Sequence, residues 1–351
     1  MRRFKAFSFL LKEGEILIQE NQAEYIRSGL ANYIGLKTNN KRIPCIVFLD
    51  DPSMPDNFLI DDPNDPTDDY LMKVEVPLSK HNDTRQMHKK LMCRVAYYVL
   101  KDILGDYDFR IVALNWFGDK ENSTKWILEH RDEIDVINCS FTAPTADCID
   151  EIKNLGIPIT AAVGNNGNEN GVSFPAYLPE TIGVAAYELH WEDMADYSNK
   201  GEQVLCTAFT DIYVYADEAM TKLIKSNGTS TASPMVAIGI LVYNFFHNVM
   251  LSQNEAKQLV INNCIDMYEV GHDTTSGYGM FVLPDYTEVN DMTIKLKIDS
   301  NEIEIDGVVK QMDTAPFIKD NRTFVPIRFV AEELGYNVEW DNDKREIIIT
   351  K

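Results

Sequence analysis

The chain is short of positive charge. Its 351 residues carry 33 Lys and Arg against 55 Asp and Glu, a formal charge of −22. A nucleic-acid footprint needs a basic stripe, and an anionic membrane surface attracts basic segments, so the balance argues against both partners. Its ordinary consequence is solubility. Paired cysteines are also missing. Six Cys stand at 45, 93, 139, 148, 206 and 264, none in a Cys-x-x-Cys spacing and all among apolar neighbours. They read as reduced, buried thiols rather than as a disulfide framework or a zinc site. No window approaches 18 apolar residues without charge; the longest candidate, around 235–251, holds Asn244 and His247. No membrane insertion is expected. The basic start Met1-Arg-Arg precedes an apolar run too broken and short for a signal peptide, so a cytoplasmic protein is the expectation. Internal repeats and low-complexity tracts are absent as well.

What is present is ordinary globular material: 45% apolar and 25% charged residues, enough to bury a core, in a length that predicts two domains. Residues 1–41 are mixed and polar and are set apart as an N-terminal extension. Ile46-Val-Phe-Leu49 is an apolar run stopped by Asp50-Asp51-Pro52, a buried strand ending in a turn. The acidic, Pro- and Asn-rich stretch 51–70 is a surface loop. Helical spacing runs over 85–104, then a strand over 110–115, a helix near 122–133, a strand over 135–140, a helix near 146–155 and a strand over 157–163. This cadence predicts an α/β core with a mainly parallel sheet between helices. From Ser233 to Met250 the pattern is apolar nearly all round, as in a central helix buried on every side. Another helix follows at about 252–265. After Leu283-Pro-Asp285 the texture turns to period-two strands, with a domain boundary near 286–292.

In parallel α/β sheets, functional groups gather beyond the C-terminal strand ends. Asp50 ends the first strand. Asn165 lies in the loop Gly164-Asn-Asn-Gly-Asn168 after the 157–163 strand. Ser230 lies in Asn227-Gly-Thr-Ser-Thr-Ala-Ser-Pro234, just before the buried helix. A serine there meets helix N-terminal amides and the positive end of the dipole, conditions that stabilise an oxyanion beside a nucleophile. From local sequence alone the same serine reads first as a helix cap.

The constellation then points one way. Gly228-Thr-Ser-Thr-Ala-Ser-Pro-Met-Val-Ala237 resembles the nucleophile motif Gly-Thr-Ser-x-Ala-x-Pro-x-Val-Ala of subtilisin-like serine proteases, peptidase family S8. Ala162-Val-Gly-Asn-Asn-Gly167 resembles the loop of that family's oxyanion-hole asparagine, and Phe174–Ala185 the strand after it. Ile137-Asn-Cys-Ser-Phe141 resembles the strand lining its substrate cleft, which implies Ser140 and Phe141 as substrate-binding residues. Tyr197-Ser-Asn-Lys-Gly201 and Ser276-Gly-Tyr-Gly-Met280 match smaller landmarks. The resemblance covers roughly 43–285. It implies a three-layer fold over 42–288 and a serine endopeptidase with Asp50, His88 and Ser230 as triad and Asn165 in the oxyanion hole. Asp51 competes with Asp50, which is followed by Asp-Pro instead of Ser/Thr-Gly. For the histidine, the family has His-Gly-Thr at a helix start. Here Lys89-Lys90 follow His88, and Met92 and Cys93 match the buried positions; His81 is the alternative. The order Asp, His, Ser is the subtilisin order, and no Gly-x-Ser-x-Gly elbow is present. The departures keep a second reading open, a subtilisin-like pseudoprotease acting as a binding or regulatory module.

The last 60 residues, 292–351, have their own likeness. Arg322-Thr-Phe-Val-Pro-Ile-Arg328 and Leu334-Gly-Tyr-Asn-Val-Glu-Trp-Asp341 resemble the small α+β stalk domain named after the N-terminus of copper amine oxidases. The segment has no His/Cys/Met cluster, so no metal is expected there. A structural or oligomerising appendage is its expected role. The remaining implications are a protein or peptide substrate and no required cofactor. Calcium, with ligands from the acidic loop 61–69, is an option of the family. The stalk module adds envelope or phage-particle association as the alternative to the cytoplasm. Residues 1–41, too short for a folded pro-domain, are expected to be an inhibitory extension or a sheet-edge contribution.

Overall fold

The computed structural model describes residues 21, 25, 27–50, 58–59, 84–169, 171–189, 192–215, 223–286, 294–305, 308–320, 322–333, 336–342 and 344–350. The chain divides into two units, Met1–Tyr286 and Thr287–Lys351.

The first unit is built on strands β1 (Cys45–Asp50), β2 (Phe58–Leu59), β3 (Arg110–Asn115), β4 (Val136–Cys139), β5 (Ile159–Ala162), β6 (Ile182–Glu188), β7 (Asp193–Met194) and β8 (Cys206–Phe209). A hairpin, β9 (Ile212–Tyr215) and β10 (Leu223–Ser226), and two short strands, β11 (Cys264–Ile265) and β12 (Met280–Phe281), follow. Its helices are α1 (Thr84–Leu104), α2 (Lys120–Glu129), α3 (Thr229–His247) and α4 (Gln253–Asn262). Among the described residues the main sheet runs in the order β11-β12-β8-β6-β5-β4-β1-β3-β2, with β7 beside β6. Strands β3, β1, β4, β5, β6 and β8 are mutually parallel.

Alternation along the strands builds two cores. Ile46 and Phe48 of β1 join Val95, Val99 and Leu100 of α1 and Val236, Ile240 and Leu241 of α3 on one face. Cys45, Val47 and Leu49 join Trp116, Ile127 and Ile149 on the other. Both faces are covered, which is why β1 reads as an unbroken apolar run. Helix α3 packs across β1, β4, β5, β6 and β8 and against α1. It is long and apolar enough to cross a membrane, yet 94% of that window is buried inside the protein. It is the central helix of the domain.

One expectation needs correcting. The helix over 146–155 is only a 3-10 turn, Ala146–Ile149, followed by irregular turns. Asp147, Asp150 and Asn154 are of the residue types that favour turns over continued helix. The described residues of the N-terminal extension pack into the first unit. In its described part, Tyr25, Leu30 and Tyr33 are buried in the α1–α3 core. Ser28 O accepts from Leu283 N at 2.8 Å, and Tyr33 Oη donates to Pro284 O at 3.0 Å. Gly29 permits this crossing: its φ is 77°, and a Cβ would stand 2.2 Å from Leu283 O.

The second unit is a small α+β domain. Strands β13 (Ile294–Leu296), β14 (Glu302–Ile305) and β15 (Val308–Gln311) form an antiparallel sheet. Its core holds Ile303, Ile305 and Met312. Hairpins β16 (Phe317–Lys319)–β17 (Arg322–Phe324) and β18 (Asn337–Asp341)–β19 (Glu346–Thr350) flank helix α5 (Ile327–Glu333). Arg328 of α5 donates to Val338 O at 2.8 Å, tying helix to hairpin.

Burial leaves one titratable group under tension. Asp102, on α1, accepts a hydrogen bond from Tyr25 Oη at 2.8 Å, yet burial pushes its carboxyl up from 3.8 to about 7. The unfolded chain releases this proton near pH 4 and the folded chain holds it to about pH 7. Stability therefore falls as pH rises through that interval, by on the order of 4 kcal/mol. Asp102→Asn keeps an acceptor for Tyr25 and removes the titration. Urea unfolding at pH 5 and pH 8 is expected to show the variant gaining stability over wild type as pH rises; an equal difference at both pH values contradicts this.

Candidate active site

Consecutive strands run from β1 to β3 in one direction and from β4 through β5, β6 and β8 in the other, so the sheet reverses between β1 and β4. The crevice beyond the C-terminal strand ends at such a reversal is where α/β sheets bind ligands. Asp50 closes β1, in register with Asn115 of β3, and Ser140 follows β4. Asn165 follows β5 by three residues.

Ser230 is brought to this edge by a reciprocal pair of hydrogen bonds. Its Oγ donates to Ser140 O at 3.1 Å, and Ser140 Oγ donates to Ser230 O at 2.8 Å. A buried polar chain supports Ser140. Asn138 Nδ2 donates to Ser140 Oγ at 2.8 Å, while Asn138 Oδ1 accepts from Ser233 Oγ at 2.7 Å and Thr160 Oγ1 at 3.1 Å. Asn138, Thr160 and Ser233 are fully buried, and a satisfied network of this kind fixes one geometry. Ser230 itself is half-buried on the second residue of α3, where an α-helix leaves its amide without an intrahelical partner.

Asn165 is oriented by Thr229. Its Oδ1 accepts from Thr229 N at 3.0 Å and Thr229 Oγ1 at 2.8 Å. A backbone N–H only donates, so the atom facing it is the carbonyl oxygen, and Nδ2 is left as a donor on an exposed side chain. The loop below is held by Asn199, 1% exposed. Its Oδ1 accepts from Asn166 N and Asn168 N, and its Nδ2 donates to Val163 O and Gly171 O. Asn165 is thus tied through Thr229 to the residue before Ser230, at the dipole-positive end of a buried helix.

Of the other expected residues, Phe141 is buried, edge-on to Phe117 with centroids 4.7 Å apart. Ala143 N donates to Phe174 O at 2.7 Å, fixing the segment after Ser140. His88 is half-buried on α1, on the face that continues through Met92, Val95 and Val99. Helix α1 lies between the parallel strands β1 and β3 in the chain. Helix α1 begins at Thr84, so His88 lies four residues inside it. His130 stacks on Trp126 at 4.2 Å, and His272 Nε2 lies 2.8 Å from Val204 O. His247 ends α3, roughly 25 Å along the helix from Ser230. Asp51, His81, His190 and the acidic loop 61–69 lie outside the described residues. Among the described residues no group of three His, Cys, Asp or Glu side chains could hold a metal ion.

The family profile named the subtilase family matches residues 102–280, just over half of the chain. The chain belongs to the subtilase family. The matched span contains Ser140, Asn165 and Ser230 and begins after Asp50 and His88. A second profile, the copper amine oxidase N-terminal domain, matches residues 286–349. Among individual subtilases, the chain is 25% identical over 190 residues to the minor extracellular protease Epr of Bacillus subtilis (strain 168), spanning 50% of this chain and 27% of that protein. It is 30% identical over 124 residues to subtilisin E of the same organism, spanning 33% of this chain and 32% of that protein. The figures for a subtilisin of Bacillus pumilus are 30% over 124 residues, 33% and 44%. The matches therefore span less than half the length of each relative. A crystal structure of a lanthipeptide protease superposes with a TM-score of 0.47 at 16% identity, covering 76% of this chain and 90% of that one.

Thr229, Asn138, Thr160, Ser233 and Asn199 were not among the expected functional residues. Thr229, Ser233 and Asn199 fall inside quoted motifs, and a polar Asn138 inside the apolar strand run Val136-Ile-Asn-Cys139 is a local signal of its own. Asn138→Ala would strip the Ser140, Ser233 and Thr160 hydroxyls of a shared partner. Ser140 Oγ keeps Ser230 O, so two hydroxyls are left unpaired at about 1–3 kcal/mol each, and chemical denaturation should show a loss of about 2–6 kcal/mol. A loss under about 0.5 kcal/mol would mean the network does not hold the site.

Proposed function

We propose that the chain is a serine endopeptidase acting on protein or peptide substrates, with Ser230 as nucleophile, His88 as general base and Asp50 as the carboxylate that orients it. The single observation that carries this reading is the placement of Ser230. It opens α3 one residue after the Thr229 that holds Asn165, with its hydroxyl clamped to the end of β4. Ser230 Oγ attacks the substrate carbonyl while its proton passes to the His88 imidazole, and the carbonyl oxygen becomes an oxyanion received by Asn165 Nδ2 and Ser230 N–H. His88 returns the proton to the leaving amine as the C–N bond breaks, leaving an acyl-enzyme. Water, deprotonated by the same imidazole, then hydrolyses the ester and regenerates Ser230. Asp50 holds the imidazole tautomer and stabilises the imidazolium. In the resting state the Ser230 hydroxyl donates to Ser140 O, and its rotor must swing to the base before attack. No cofactor or metal enters these steps.

One observation favours a second reading, a pseudoprotease that binds without cleaving. Lys89-Lys90 stand where the family has Gly-Thr, and the helix opens four residues ahead of His88. A fluorophosphonate probe separates the two. Ser230 should label, Ser230→Ala should not, and His88→Ala should abolish labelling while His81→Ala leaves it intact. Loss with His81→Ala alone transfers the base to that residue, and a wild-type chain that never labels supports the pseudoprotease. Asn165→Ala should lower kcat on a cleaved peptide by about 10²–10³.

A further inference from the structure

The Asn165 loop and the start of α3 come from segments some sixty residues apart, and an oxyanion site works only if their donors keep a fixed spacing. Ideal sites tolerate about 0.5 Å of error. Tyr197 touches both segments. Its backbone carbonyl accepts from Gly167 N at 2.8 Å, in the loop two residues beyond Asn165. Its phenol oxygen accepts from Gly228 N at 3.0 Å, at the residue that caps α3 two positions before Ser230. Gly228 has φ 98° and ψ 164°, a conformation outside the helix, so its amide cannot be satisfied by the helix it precedes. The Gly228 carbonyl is held as well: Thr231 N donates to it at 2.9 Å, and Thr210 Oγ1 lies 3.4 Å away as a further donor. A phenylalanine would fill the same space as Tyr197 without holding that amide.

We infer that Tyr197 is a positioning residue of the active site, a clamp whose hydroxyl fixes the Gly228 peptide and thereby sets the Ser230 amide and hydroxyl against the Asn165 donor. It acts through the Gly167 and Gly228 peptides that it holds. The inference rests on the peptidase reading, because the donors it aligns matter only if an oxyanion forms. Burial raises the Tyr197 phenol above its ordinary value, which keeps it neutral across the working range of a histidine base.

The test is the kinetics of Ser230 labelling by a fluorophosphonate on the full chain, with saturating rate and half-saturating probe concentration measured separately. Tyr197→Phe is expected to lower the saturating rate about five- to tenfold, the worth of one hydrogen bond to a buried amide, while half-saturation moves less than about twofold. Hydrogen exchange at the Gly228 amide should quicken in the same variant. A folded Tyr197→Phe that labels at the wild-type rate overturns the clamp, and so does a loss confined to half-saturation. If Tyr197→Phe does not fold, Thr210→Val decides. It keeps Tyr197 and removes the Thr210 hydroxyl, which hydrogen-bonds the phenol and stands beside the Gly228 carbonyl. A fall in saturating rate at unchanged half-saturation upholds the clamp, and an unchanged rate overturns it. A wild-type chain that never labels defeats the peptidase reading and takes the clamp with it; a wild type that labels beside an unaffected Tyr197→Phe defeats the clamp alone.

Discussion

Apolar packing buries α3 on every side, but such packing is non-directional and leaves a helix free to slide or turn along the sheet. The reciprocal bonds between Ser230 and Ser140 remove that freedom. Each serine gives its hydroxyl to the other's carbonyl, so the first turn of α3 is registered against the end of β4 at two points. Beneath them Asn138 spends its amide on three hydroxyls from three different elements, β5, α3 and the segment after β4. The whole edge of the sheet inherits its geometry from this buried chain, and the exposed Asn165 loop is referenced to it through Thr229.

The architecture divides labour accordingly. The sheet reversal between β1 and β4 opens the crevice, and α3 delivers a serine at the helix end where unbonded amides and the dipole favour negative charge. Asn199 and Tyr197, both in one short turn after β7, stiffen the asparagine loop from below and from the side. The described N-terminal residues belong to the same body, since Tyr25, Leu30 and Tyr33 fill its core. The second unit has its own small core of Ile303, Ile305 and Met312. The surplus of carboxylates has no role in the proposed chemistry, which asks for one.

The residues most legible in the sequence were those whose chemistry and local pattern coincide. An apolar run ending in Asp50 is a strand end, an all-apolar stretch after Ser230 is a central helix, and Gly and Asn after an apolar strand form a loop that aims side chains. The mainly parallel sheet between helices followed from the alternation of apolar runs and helical spacing; the strand order, and hence the crevice, is seen only in the structure. Less legible were partners distant in the chain. Tyr197 and Gly228 are 31 residues apart, and Ser140 and Ser230 are 90. No periodicity encodes a hydrogen bond between a side chain and a remote peptide. Residues 146–155 show the opposite failure: helical spacing was present, but acidic side chains and Asn154 favoured turns. The polar look of 1–41 hid three tyrosine and leucine side chains that are wholly internal, because composition averages over a segment and burial acts residue by residue.

The central claim is that Ser230, Asn165 and His88 converge on one reacting carbon. A crystal structure of the chain inactivated by a fluorophosphonate tests it most directly. The account predicts phosphorus bonded to Ser230 Oγ, with its phosphoryl oxygen about 3 Å from both Asn165 Nδ2 and Ser230 N, and the His88 imidazole within hydrogen-bond reach of Ser230 Oγ. An adduct whose oxygen points away from Asn165, or a different side chain standing where the His88 imidazole belongs, would contradict it.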